Sequence, residues 1–373
     1  MLSLADAALD TFAGAGDALP MTEDEHIADG GISNARIARL LFAASKEVDG
    51  EQRARAYRRA ARAALMWPVE ARELHESGAD LQELAGIGPS LARRIVRWVQ
   101  DPPKKGGEDD PVTEDFLTLA HARRVLAEHD FGLNGDLQMH TTFSDGKSTL
   151  QEMAAACAQR GYHFAAITDH SDGLRIVRGL SPDDLRRQGE EIQDLNAQLH
   201  AAGRSLTLLR GVEMNLDAEG KGDVEPGALL ELDLVLGSFH SGLRVEDDQT
   251  KRYVAALRNP HVNVLAHPRG RRFGARRGLN ADFVAVLEEA ARLDKAVEVN
   301  AYPDRQDLQP RLLELARNAG CRISIGTDSH HVVDLAHVEI ALAMVVEAGI
   351  PRDKILNLME REELIAWASS TRG

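Results

Sequence analysis

The spacing of apolar residues changes character along this chain. From Ser33 onward Ile37, Leu40, Leu41 and Ala44 share one helical face, and Ala54, Tyr57, Ala61 and Leu65 begin a second helix. Past residue 135 the repeating unit becomes a short apolar run followed by a helical stretch. Runs at 164–168, 206–212, 234–239, 262–266, 296–299 and 322–327 read as strands; 149–160, 182–202 and 281–293 read as helices between them. This alternation predicts an α/β fold, with parallel strands and helical crossovers closing into a barrel behind a small all-α domain. The expected divisions are a loose arm over 1–32, a helical domain over 33–100, a linker with a short helix near 116–128 within 101–134, and the barrel over 135–373. The linker is marked by Pro102-Pro103, Lys104-Lys105, Gly106-Gly107 and an acidic run.

Composition narrows the possibilities. Aromatics make up 4% of the chain, so Leu, Val, Ile and Ala must fill the core. The formal charge of −15 argues against non-specific nucleic-acid binding by the whole surface. The helical segment departs from this: residues 34–100 hold 12 basic and 8 acidic side chains. Cys157 and Cys321 are the two cysteines. One sits in a helical pattern and the other at a strand start, which suits free buried thiols in a reducing, cytoplasmic setting. The first residues lack the basic and apolar regions of a secretory signal, and no apolar run approaches a membrane span.

The polar residues at the strand ends carry the chemistry. The stretch 135–146 sets His140 and, five residues on, Asp145 in a polar loop. Later runs end in Asp169-His170, Glu213, His240, His267, Asn300 and Asp328-Ser329-His330. In a parallel barrel these ends converge on one rim. His140, Asp145, His170, Glu213, His240, His267, Asp328 and His330 would thus meet at one face, at a heavy desolvation and repulsion cost that divalent cations remove. A single such histidine is an ordinary hydrogen-bonded loop residue; the recurrence is what points to metal.

This constellation resembles the PHP (polymerase and histidinol phosphatase) superfamily, over about 135–357. The resemblance implies a distorted seven-stranded barrel holding two to three divalent transition-metal ions, Mn2+ or Zn2+, with Fe2+ also compatible. It assigns His140, Glu213 and Asp328 to a first ion and Glu213, His240 and His267 to a second, with Glu213 bridging. Asp145, His170 and His330 fall to a third. His140, Glu213 and Asp328 form the implied catalytic set. The family opens on His-x-His, whereas Gln138 stands at the first position here; an amide oxygen is a weaker transition-metal ligand than imidazole.

After His267 the loop 268–277 carries five arginines among its glycines. Solvated surface charge is the bland explanation. The spacing of Arg271 and Arg276, and Arg305 behind Asn300, resemble the PHP branch of bacterial family X polymerases and imply contacts to a substrate phosphate. Lys147 and His331 are lesser candidates, equally suited to plain surface roles.

In the helical segment, Gly86-Ile87-Gly88 forms a tight turn followed by Ser90, Arg93 and Arg94. An ordinary αα-hairpin has this pattern too. Together with Ala-Tyr-Arg-Arg-Ala-Ala at 56–61 it resembles the helix-hairpin-helix domain of family X DNA polymerases. The resemblance implies DNA-backbone contact through Gly86, Ile87, Gly88, Ser90 and Arg93. Relatives with lyase activity use a lysine where Arg94 stands, and a guanidinium is a poor imine-forming nucleophile, so no lyase chemistry is expected. The segment between the two domains is too short for a polymerase palm.

The expected function is a metal-dependent phosphoesterase acting on DNA, a 3′–5′ exonuclease or 3′-end-processing phosphatase in repair. A metal-activated water would attack phosphorus. The alternatives are a small-molecule phosphatase of histidinol-phosphate or nucleotide type, and a DNA-binding adaptor with an inactive barrel.

Overall fold

The computed structural model describes residues 31–104, 106, 110–173 and 178–372. Of the arm expected over 1–32, residues 1–30 lie outside the described residues, while Ile32 is buried in the helical core. The helical domain is built from α1 (Asn34–Glu47), α2 (Glu51–Ala64), α3 (Ala71–Glu76) and α4 (Pro89–Gln100). Ser33 caps α1 by accepting the Arg36 N–H at 3.1 Å. Ile37, Leu41, Tyr57, Ala61, Trp67 and Ile95 share one buried cluster. The Trp67 indole N–H donates to Ala85 O at 3.0 Å and so holds the turn that precedes α4. Gly86 in that turn has φ +79°, and a Cβ there would lie 3.2 Å from Ala63 Cβ, so both conformation and space favour glycine.

A further helix, α5 (Leu119–Ala127), leads into seven parallel strands that neighbour one another in chain order. These are β1 (Gly135–Asp136), β2 (Phe164–Ile167), β3 (Thr207–Asn215), β4 (Leu234–Ser238), β5 (Val264–Leu265), β6 (Ala296–Asn300) and β7 (Arg322–Gly326). Met139 bridges Ser329, and the Asp328 N–H donates to Gln138 O at 3.0 Å, which joins the first strand to the last and closes the ring.

The crossovers are α6 (Leu150–Gln159), α7 (Pro182–Ala201), α8 (Pro226–Leu229), α9 (Thr250–Arg258), α10 (Phe283–Arg292) and α11 (Pro310–Ala319). Beyond β7 come α12 (Val338–Glu347) and α13 (Arg361–Ser370). Tyr253, Val286, Leu313 and Ile340 from these helices cluster with Val235, Val297 and Ile323 from the strands. The fold class is the one predicted. Strand β3 differs in length: it runs on to Asn215, because its first half pairs with β2 and its second half with β4. Glu213 therefore lies inside a strand, where hydrogen bonding on both sides fixes its backbone.

The N-terminal end of the barrel is sealed by α13. Its Leu364, Trp367 and Ala368 cluster with Phe164, Ala166, Leu236, Val264 and Ala296. The Trp367 indole donates to Asp294 O at 2.8 Å, and the Asn357 amide donates to Gly135 O (2.9 Å) and Ile325 O (2.8 Å), tying β1 to β7. No helix among the described residues is long and apolar enough to cross a membrane.

The segment read as linker is packed. Phe116 meets Phe273 edge-on at 5.1 Å between ring centroids, and Phe273 meets Phe42 of α1 at 6.0 Å. The Leu117 backbone exchanges hydrogen bonds with the Gln306 amide (2.7 and 2.8 Å), and the Gly274 N–H donates to Val112 O at 2.8 Å. The loop that follows His267 is thus the seat of the helical domain.

Candidate metal centre

Glu213 is the hub. Its Oε1 lies 2.8 Å from His267 Nε2 and 3.2 Å from His240 Nε2; its Oε2 lies 3.3 Å from both His140 Nε2 and His170 Nδ1. His140 Nε2 also lies 3.1 Å from Asp328 Oδ1. At the outer edge, Asp145 stands 3.7 Å from His170 Nε2 and 3.4 Å from His330 Nε2. The eight side chains collect in one cluster because their carriers end at the same rim. His140, His170, His240, His267 and Asp328 each come two to four residues past a strand end. Two of these strand exits have positive φ, His267 at +25° and Asp328 at +54°. Such backbone costs energy and persists only where its surroundings enforce it.

The donor set fits cations. Three groups of side chains present ligand atoms within 4.8 Å of one another: His140, Asp145, His170 and His330; His170, Glu213 and His240; His140, Glu213 and Asp328. Gln138 is fully buried beside the last group, but its Oε1 accepts from the Asn300 amide at 3.2 Å. The imidazole Nδ1 of His140, His170 and His267 and Glu213 Oε2 are buried without a hydrogen-bond partner. The 3.3 Å approach of His170 Nδ1 to Glu213 Oε2 is thus a meeting of two acceptor-bearing atoms that a cation could share.

The electrostatics follow from this crowding. Burial alone would raise the Glu213 pKa, but His170, His267 and their neighbours hold it well below the carboxylate range. Burial would lower His140, and Asp328 and Glu213 outweigh it, raising that imidazole well above its usual value. His170, which burial dominates, falls to about 4. Asp145 is drawn down to about 2 by His330, His140 and His170 against its burial. Asp328 is pulled low, against its burial, by Arg305 and His140.

A supporting layer escaped the sequence reading. Asp169, buried beside His170, accepts the Thr141 N–H (2.8 Å), the Thr141 hydroxyl (2.7 Å), the Ser144 hydroxyl and the Gln188 amide (2.6 Å), fixing the loop that carries His140 and Asp145. Glu298 Oε2 accepts the His267 N–H at 2.6 Å and holds that strained residue. Burial, then the nearby Asp328, push the Glu298 carboxyl well above its usual range. Gly326 leaves room for it, since a Cβ there would lie 2.2 Å from Glu298 Oε1. Asn215 Oδ1 meets His240 Nδ1 at 3.2 Å. Asp169 had a visible signal in its adjacency to His170; Glu298 lies two residues from Asn300 and Asn215 two from Glu213, each pair on one strand face.

The arginines separate. Arg305 Nε lies 3.2 Å from Asp328 Oδ2, its side chain a quarter exposed. Arg276 sits on the adjoining loop, half-buried. Arg271 is not brought to the cluster. It is 3% exposed, its guanidinium lies 3.9 Å from the Phe116 ring centroid, and it donates to Glu114 O and Asp115 O. The strap between the domains has taken up its donors, so it serves the junction rather than a phosphate. Lys147 is exposed beside the rim, and His331 accepts the Val333 N–H at 3.3 Å. In the helical domain, Gly86, Ser90 and Arg93 are exposed, Gly88 is the N-cap of α4 and Ile87 is buried. Arg94 lies over the rings of Tyr57 (5.2 Å) and Trp98 (5.6 Å).

Residues 32–101 match the model of a helix-hairpin-helix domain, and residues 136–267 match that of the PHP domain. A Bacillus subtilis protein named DNA polymerase/3′-5′ exonuclease PolX is 36% identical over 269 residues, 71% of this chain and 45% of its own length. The chain thus spans about half of that relative. Proteins named probable phosphatase, from Thermoanaerobacter sp. (29% identity, 59% of this chain, 89% of theirs) and Escherichia coli (27%, 61% and 91%), are also similar. Among solved structures, histidinol phosphate phosphatase from Lactococcus lactis, complexed with zinc, L-histidinol and phosphate, aligns at TM-score 0.45 and 19% identity, covering 58% of this chain and 94% of that one. The barrel of this chain thus carries a PHP domain, with a helix-hairpin-helix domain in front of it.

Proposed function

We propose that this protein is a metal-dependent phosphoesterase that trims DNA 3′ ends, as a 3′–5′ exonuclease or 3′-phosphatase. The observation that carries the reading is the joining of two features through one loop. The loop that leaves the cluster at His267 also bears Phe273, which is buried against the helix-hairpin-helix domain. A domain suited to backbone phosphates is thereby held to the rim of a site suited to phosphoester chemistry.

His140, Glu213 and Asp328 would hold one ion, Glu213, His240 and His267 a second, and Asp145, His170 and His330 a third, with Gln138 beside the first. Divalent ions there supply an activated water and charge stabilisation for the phosphoryl oxygens. The chain's own part is positional. Glu213 keeps four imidazoles around one carboxylate. Arg305, paired to Asp328 through Nε, presents a fixed cation beside the reacting phosphate. Glu298 and Asp169 keep the ligand loops from relaxing.

The test is 3′-labelled DNA with Mn2+. Wild-type protein should release label, and His240→Ala should lose at least about 100-fold, above the cost of removing a supporting residue. Equal cleavage by both proteins would defeat the proposal. The small-molecule alternative draws support from the probable phosphatases, whose lengths this chain covers nearly in full. It predicts turnover of small phosphomonoesters that is indifferent to Ser90→Glu and Arg93→Glu, whereas the DNA reading expects those changes to weaken DNA hydrolysis alone.

A further inference from the structure

Arg276 has three other guanidinium groups within electrostatic reach, and one of the four, Arg305, stands beside the metal cluster and enters the chemistry assigned so far. Arg305 pairs with Asp328 Oδ2 at 3.2 Å. Arg272 and Arg276 face each other across a small hairpin: they form an antiparallel bridge, with the Arg272 N–H donating to Arg276 O at 2.9 Å. Arg272 spends its Nε on Asp304 Oδ2 at 2.8 Å. Arg276 has no such partner among the described residues; its Nε is buried and bonded to nothing. Arg244 comes from the loop after β4, which packs on the loop that carries Arg276: a Cβ on Gly270 would lie 2.8 Å from Leu243 Cδ2. With Arg305 and Arg272 it stands close enough to add to the burial that lowers the Arg276 pKa. Asp304 is the carboxylate that opposes them there.

Like charges gathered around one opposing carboxylate repel, and a half-buried guanidinium with an unbonded Nε leaves a desolvation cost unmet. Asp328 cannot discharge this set, because its other oxygen faces His140 in the metal-ligand cluster. An anion from outside would meet this deficit, and Arg305, which reaches both Arg276 and Asp328, ties the set to the metal cluster. The forked, planar donors of arginine match phosphate oxygens in pairs.

We propose that Arg276 and Arg244 form a subsite for a second phosphate, so that the site selects phosphoesters bearing an anionic group next to the one that reacts. The inference rests on the phosphoesterase reading of the cluster, though not on DNA as the substrate. The second phosphate has two possible sources: the neighbouring linkage of a polynucleotide 3′ end, or the other end of a small bisphosphate.

The experiment uses the full chain with Mn2+ and two matched substrate pairs. One pair is a thymidine trinucleotide with a natural or an uncharged methylphosphonate linkage next to the scissile one. The other is adenosine 3′,5′-bisphosphate against adenosine monophosphate. In each pair that is turned over, the second phosphate should raise wild-type kcat/KM about tenfold, the scale of one charge-assisted hydrogen-bonding group. Arg276→Ala and, independently, Arg244→Ala should bring that ratio close to one. Arg244 is exposed, so its variant reports even where Arg276→Ala is unstable. A wild-type ratio near one, or a ratio unmoved in Arg244→Ala, overturns the subsite. Preference within the bisphosphate pair with no turnover of either trinucleotide keeps the subsite and removes DNA as the substrate. No turnover of any of the four compounds removes both.

Discussion

Asp169 shows how much of this site depends on residues that touch no substrate. Five donors from two elements, the loop after β1 and α7, end on its carboxylate, and that loop carries both His140 and Asp145. Replacing it by Asn keeps the shape and removes one acceptor oxygen. Asp169→Asn should retain the fold by circular dichroism while metal affinity, read by chelator competition, drops about 10–100-fold; unchanged affinity would show that the loop needs no such anchor. At this scale the ligand candidates were legible, because strand ends in a parallel barrel share a rim and His, Asp and Glu stand out there. The support was not. Glu298 looks like any polar residue in a strand until the strained His267 N–H is seen to end on it. Arg271 and Arg276 are alike in sequence, and they part company because Phe116, far away in the chain, happens to cover one of them.

Among the elements, the loop from 268 to 278 carries the most consequence. It begins at a metal-ligand candidate, turns Phe273 into the helical core and returns to α10. The helices were readable from their 3.6-residue period and the strands from their apolar runs. The junction was not, since a linker rich in Pro, Gly and charge gives no hint that Val112, Phe116 and Leu117 will be bound on both sides. Phe273→Ala should cost about 3–5 kcal/mol in denaturant unfolding, the usual range for a buried aromatic. It should also lower DNA hydrolysis more than hydrolysis of a small phosphoester. Parallel losses on both substrates would mean that the seating of the helical domain has no part in substrate choice.

The whole molecule is acidic, and part of that charge is held inside the barrel. Glu213, Asp328 and Glu298 are buried within one another's reach, and the first two help push the third's carboxyl upward. Cations that relieve this crowding stabilise the folded state by mass action. One ion at about a hundredfold excess over its Kd adds ~2.7 kcal/mol, or roughly 3–4 °C in Tm for a chain of 373 residues. Dialysis against a chelator should lower Tm by that order, and Mn2+ should restore it; a melting curve indifferent to both treatments would count against a metal-filled rim.

The plug at the other end of the barrel bears on how the protein is made. Translation delivers the helical domain first, and its packed core can form while later segments are still being synthesised. The barrel has no such freedom. Leu364 and Trp367 cover apolar side chains from strands made up to two hundred residues earlier, and Asn357 stitches the first strand to the last. Until those residues leave the ribosome, the nascent strands expose greasy surface and unpaired edges, the condition under which aggregation competes with folding. Ring closure therefore waits until β7 and α13 have both emerged, and the interval before it is when this chain has most need of a chaperone.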